Sequence, residues 1–88
     1  MVERHMKKDK LLRKALNSPN NVRFQEMISL VEAYGFRLSR VNGSHHIFVH
    51  PEVSELINIQ DVKGQAKPYQ VRQFLRLVEQ YNLEMGEE

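Results

Sequence analysis

Three of the four histidines of this chain stand within one short stretch, Gly43-Ser44-His45-His46-Ile47-Phe48-Val49-His50-Pro51. Imidazole is the side chain whose ordinary pKa lies nearest neutrality, so it can take or give a proton at working pH. The stretch follows an Asn42-Gly43 turn signal and runs through apolar, β-favouring residues. A histidine just past a tight turn, at the mouth of a strand, is placed to meet a substrate. No other part of the chain offers an obvious catalytic group, so any chemistry is expected to pass through His45 or His46.

Three kinds of chemistry compete for these residues. The first is metal binding. His46 and His50 are four apart, a spacing that suits a zinc pair on a helix. In a strand that spacing is ~13 Å, too far for one ion. The chain has no cysteine and no carboxylate pair near the histidines. No metal and no cofactor are therefore expected. The second reading is structural. His46, Phe48 and His50 share one strand face, and His45, Ile47 and Val49 the other. A two-residue turn at Asn42-Gly43 would pair Leu38 with Ile47, and a three-residue turn through Ser44 would pair Leu38 with Phe48. The register thus decides whether His45 or His46 is presented to solvent. The third reading is acid–base chemistry on RNA. RNA carries its own nucleophile, the 2′-hydroxyl, and a general base that takes its proton lets it attack the adjacent phosphate. Cations nearby would hold phosphates and offset developing charge. Arg37, Arg40 and Lys63 qualify by adjacency to the strands and Lys67 by its place before the last helix. Plain surface charge is the alternative for each.

The elements that must position these residues can be read from periodicity. Leu11, Leu12, Ala15 and Leu16 recur at helical spacing within Lys7 to Leu16, with Lys8, Lys10, Arg13 and Lys14 on the other face. Asn17-Ser18-Pro19-Asn20-Asn21 reads as a turn. Phe24, Met27, Ile28, Val31 and Tyr34 form the apolar stripe of a second helix, closed by Gly35. Phe36 to Val41 alternates as a half-buried strand. His45 to His50 is a second strand, ended by Pro51. Glu52 to Glu55 reads as a loop, Leu56 to Ile59 as a third short strand and Asp61 to Lys67 as another loop. Pro68 opens a final helix to about Tyr81, with Val71, Phe74, Leu75, Leu77, Val78 and Tyr81 on its apolar face. The acidic tail, residues 82–88, is expected to fray. The order α-α-β-β-β-α predicts a two-layer α+β domain, a three-stranded antiparallel sheet covered by helices on one face.

Eighty-eight residues make one domain with one modest core, so a site should lie on an open face or shallow groove. No apolar run approaches the ~20 residues of a membrane span, and the basic N-terminus lacks the apolar core of a signal peptide. A soluble cytoplasmic protein is expected. Net charge is +2, but three of the 11 acidic residues, Glu84, Glu87 and Glu88, stand in the tail. The 13 basic residues against the 8 acidic ones that remain leave the body at +5, a charge that can attract phosphate.

Gly35-Phe36, then Gly43-Ser44-His45-His46-Ile47-Phe48, then His50-Pro51 resembles the HicA-type (YcfA-like) toxins of bacterial toxin–antitoxin systems. The likeness runs over roughly residues 22–81, leaving 1–21 as an N-terminal extension with a short helix. It implies a fold like a double-stranded-RNA-binding domain. It also implies a metal-independent ribonuclease that cuts messenger RNA and is neutralised by a HicB-type antitoxin. The motif histidine, catalytic in that family, falls on His45, with His46 as a second candidate. Gly43 is the turn residue that presents it, and Ser44 orients the loop or the substrate. A binding module of another class remains beside this reading: a basic domain that recognises structured RNA by shape, with histidines that only support the fold.

Overall fold

The computed structural model describes the backbone of residues 2–86 and the side chains of residues 8–86. Helix α1 spans Val2–Asn17, and a single 3₁₀ turn, Pro19–Asn21, leads to α2, Phe24–Ala33. Four strands follow, β1 Arg37–Asn42, β2 His45–His50, β3 Val53–Val62 and β4 Gln65–Ala66, and the chain closes with α3, Pro68–Gln80. The strands form one antiparallel sheet in the order β1-β2-β3-β4. The α+β class and the helix-covered sheet are as expected. The sheet has four strands where three were expected. The loop expected at Asp61 to Lys67 is partly strand, because Lys63 and Gly64 both take positive φ and fold β4 back onto β3. The third strand also starts earlier than expected, at Val53.

Strand parity builds the core. Phe48 of β2 and Val53, Ile57 and Ile59 of β3 face the helices and are buried against Met27, Leu30 and Val31 of α2 and Val71, Phe74 and Leu77 of α3. A buried polar residue, Gln70, sits among them. Its Oε1 accepts the Gln60 N–H at 2.7 Å, which fixes the first turn of α3 to the end of β3. Both later helices end in a Schellman motif. In α2 the Phe36 and Gly35 amides donate to the Val31 and Glu32 carbonyls, and in α3 the Leu83 and Asn82 amides donate to those of Val78 and Glu79.

The N-terminal helix begins before the expected Lys7 and packs on α2, with Ala15 fully buried and Leu11 and Leu12 against the core. Lys14 Nζ bridges to Glu26 of α2 at 2.9 Å. After α3 the chain folds back over α2, and the Gly86 amide donates to the Ala33 carbonyl at 2.9 Å. Residues 87 and 88 lie outside the described part. Among the described residues no helix is long and apolar enough to cross a membrane.

Candidate active site

The β1–β2 hairpin turns on Gly43 and Ser44 alone, with Asn42 opposite His45. Gly43 has φ +63 and Ser44 does not share the left-handed region, the pattern of a type II′ turn. A Cβ on Gly43 would meet nothing within 4 Å, so glycine is required there by the backbone and not by crowding. The tip is tied to the sheet by the Asp61 amide, which donates to the Ser44 carbonyl at 3.0 Å.

Neither expected register describes the whole hairpin. The turn has two residues, yet Leu38 pairs with Phe48, because Ser39 is bulged between Leu38 and Arg40. The bulge also changes which arginines reach the site. Residues three apart in a regular strand point to opposite faces. Here Arg37 lies opposite Val49 and Arg40 opposite Ile47, so both share the face of His45. Leu38 and Val41 fall on the other face, opposite Phe48 and His46.

The three histidines part company accordingly. His50 turns toward the helices, its ring 4.9 Å from that of Phe36. Its Nδ1 accepts the Glu52 N–H at 3.0 Å. A Cβ on Gly35, where φ is +93, would stand 3.1 Å from its Nε2. Gly35-Phe36 and His50-Pro51, remote in sequence, are thus one packed unit. His46 also turns inward, its ring set edge-on to Phe24 at 4.8 Å and its Nδ1 3.3 Å from the Ser44 carbonyl. His45 alone faces the open side of the sheet, with Ile47 and Val49. Its Nδ1 meets the carboxamide of Asn58 on β3, Nδ2 at 2.9 Å and Oδ1 at 3.2 Å.

The cations sort by position. Arg40 is opposite Ile47, two residues or ~7 Å along β2 from His45, and Arg37 is ~13 Å away at the far end of the strand pair. Lys67 precedes α3, its ammonium 5.9 Å from the centre of the exposed Tyr69 ring. It lies at the hairpin end, because the neighbouring Gln70 holds Gln60, the residue opposite His45. Lys63 lines a groove of about 300 Å³ with Arg23, Phe24, Gln25, Asp61, Gly64 and Gln65. That groove adjoins the hairpin through Phe24, which touches His46, and Asp61, which holds Ser44. Asp61 Oδ1 itself accepts the Gly64 N–H at 2.8 Å. Among the described residues no cluster of three histidine or carboxylate groups is arranged to hold a metal ion.

Sequence reading missed Asn58, Arg23 and Tyr69. Asn58 sits at a polar position of an alternating strand, but its meeting with His45 depends on a register that local pattern does not carry. Arg23 reaches the groove because the short β4 pairs back onto it, through a bridge to Gln65.

Comparison with known proteins adds a family to this geometry. Residues 24–79, from the first residue of α2 to the last turn of α3, match the family model described as the HicA toxin of bacterial toxin–antitoxin. A search of curated proteins finds no match.

Proposed function

The chain belongs to the HicA toxin family, and from that premise we propose that it is an mRNA interferase, a metal-independent ribonuclease whose proton transfers pass through His45. One observation carries the assignment. Of the three clustered histidines, only His45 presents its ring to the open face of the sheet, while His46 and His50 are spent on Phe24 and on Phe36. The chemistry follows from that placement. Nε2 of His45 takes the proton of a ribose 2′-hydroxyl, and the freed oxygen attacks the adjacent phosphorus. The P–O5′ bond breaks, leaving a 2′,3′-cyclic phosphate on one fragment. The departing 5′-oxygen takes a proton from the imidazolium or from water. Arg40 is placed to offset charge on the phosphate, with Arg37 farther along the same face; Lys63, Lys67 and Arg23 hold the flanking strand at the hairpin end. Gly43 and Ser44 present the histidine. The cellular partner of such a toxin is a HicB-type antitoxin, and its place of action is the cytoplasm, where messenger RNA is translated.

The test is cleavage of a long RNA by the pure protein in EDTA, wild type against His45→Ala. Loss of a general acid–base group lowers the rate by about 10²- to 10⁴-fold. Circular dichroism should show the variant folded. Cleavage by His45→Ala within threefold of wild type would remove His45 from the mechanism. Cleavage abolished by EDTA and restored by zinc or manganese would overturn the metal-independent reading. RNA binding with no cleavage by wild type would assign the domain to recognition alone.

A further inference from the structure

The contact between His45 and Asn58 bears on how the ring of the proposed catalyst is held. Imidazole Nδ1 lies within hydrogen-bond reach of both ends of the Asn58 carboxamide, Nδ2 at 2.9 Å and Oδ1 at 3.2 Å. A carboxamide offers a donor and an acceptor of nearly equal shape, exchanged by a half-turn of the group. With Oδ1 turned to the ring it accepts from Nδ1–H, and Nε2 carries a lone pair. With Nδ2 turned to the ring it donates to a bare Nδ1, and Nε2 carries the proton. The first arrangement is competent as a base and, after Nε2 takes a proton, as the imidazolium acid; the second holds the resting neutral ring with its N–H outward.

We propose that Asn58 is the positioning residue of His45, its carboxamide holding Nδ1 in either tautomer so that Nε2 keeps one place on the open sheet face. The inference rests on the His45 reading above and goes beyond it by naming the group that orients the ring. The half-buried Asn58 lies opposite Ile47, beside His45 on the same face. The neighbours across the sheet from His45 are Asn42 on β1 and Gln60 on β3, both neutral, and the nearest cation on this face is Arg40. Among the described residues, the helices pack on the other face, the one that carries Phe48, Ile57 and Ile59. An asparagine plays an equivalent part beside the histidine of Cys–His–Asn proteases, on an unrelated fold.

The experiment compares wild type, Asn58→Leu, Asn58→Asp and His45→Ala in single-turnover cleavage across pH, with ¹⁵N NMR of the imidazole nitrogens. Asn58→Leu should lower the maximal rate by about 10- to 100-fold with KM little changed, the scale of a small misplacement of a reacting group. Asn58→Asp only accepts, so it should restore much of that loss. Its negative charge favours the imidazolium, and the acidic limb of its pH–rate profile should move up by about 1 unit or more. The His45 nitrogen shifts should differ among wild type, Asn58→Leu and Asn58→Asp. If His45→Ala is inactive but Asn58→Leu keeps the wild-type rate and profile, Asn58 does not position the ring. If His45→Ala is active, the functional reading fails, and the nitrogen shifts alone decide: no change on replacing Asn58 overturns the contact. Should Asn58→Leu fail to fold, an Asn58→Asp protein with a wild-type profile and wild-type nitrogen shifts overturns the inference equally.

Discussion

Moving one residue along β2, from His45 to His46, carries the side chain from the open sheet face to the edge of the Phe24 ring. An edge-to-face pair of aromatic rings adds about 0.5–1.5 kcal/mol beyond its buried area. His46→Ala should therefore lower the melting temperature by several degrees, since about 1 kcal/mol corresponds to roughly 4–8 °C in a domain of this size. Cleavage by the folded variant at 25 °C should stay within about threefold of wild type. Thermal melts beside single-turnover rates check this. A loss of cleavage equal to that of His45→Ala, with melting unchanged, would move the catalytic role to His46. The same parity explains what was legible at this scale. The histidine cluster and the presence of a turn before it were visible in the sequence, although the turn falls on Gly43-Ser44 and not on Asn42-Gly43. Which histidine is presented was not, because that depends on the true turn residues and on a bulge at Ser39 that exists only in the pairing with β2.

Helices α2 and α3 follow from apolar periodicity, because each buries a continuous face. The alternation of β1 marked a strand but not its burial. Expected to be half-buried, β1 has all six of its residues exposed, because the helices pack on β3 and leave the outermost strand uncovered. β3 was read too short because its early part, Ser54 to Leu56, is exposed and carries no buried alternation. β4 was missed because two residues leave no pattern at all. The docking of α1 was illegible because its apolar residues mark a face without naming the partner. That docking has a pH signature through Glu26. Partial burial alone would raise the Glu26 carboxyl, but hydrogen bonds from the Arg23 amide and the Lys14 ammonium outweigh it and hold its pKa below the ordinary 4.5. A carboxyl lowered by folding stabilises the folded state above its unfolded pKa, and that contribution is lost as pH falls through the folded value. The pair is partly exposed and screened, so the effect should be at most about 1 kcal/mol. Wild type should lose its stability margin over Glu26→Gln as pH drops from 6 through the region below 4.5, in urea melts followed by circular dichroism. A margin that stays constant across that range would mean that the bridge does not help hold α1.

At the scale of the whole molecule, the proposed site is an open sheet face with nothing of its own to close it. Silencing it takes a second surface. A stable complex buries about 1,200–2,000 Å² in total, enough to cover His45 and Arg40 together. Against a body of formal charge +5 an antitoxin should present acidic groups and associate quickly, with a rate that falls as salt rises. Diethylpyrocarbonate should modify His45 in the free protein and much less in the complex. A co-purified antitoxin that leaves His45 as reactive as before would mean inhibition without occlusion. One feature of this sheet works even when no partner is bound. The outermost strand, β1, leaves one row of N–H and C=O groups without a neighbouring strand. Such a rim is a template on which further copies could add themselves, strand upon strand, toward fibrous aggregates. The bulge at Ser39 breaks the regular spacing of that template, and Arg37 and Arg40 set like charges along it. On the opposite side β4 pairs only Asp61 and Val62 of β3, and the Gln60 amide next to them is taken by Gln70 Oε1 of α3. The irregularity that sets two arginines on the face of His45 thus also guards the protein against polymerising through its own edge.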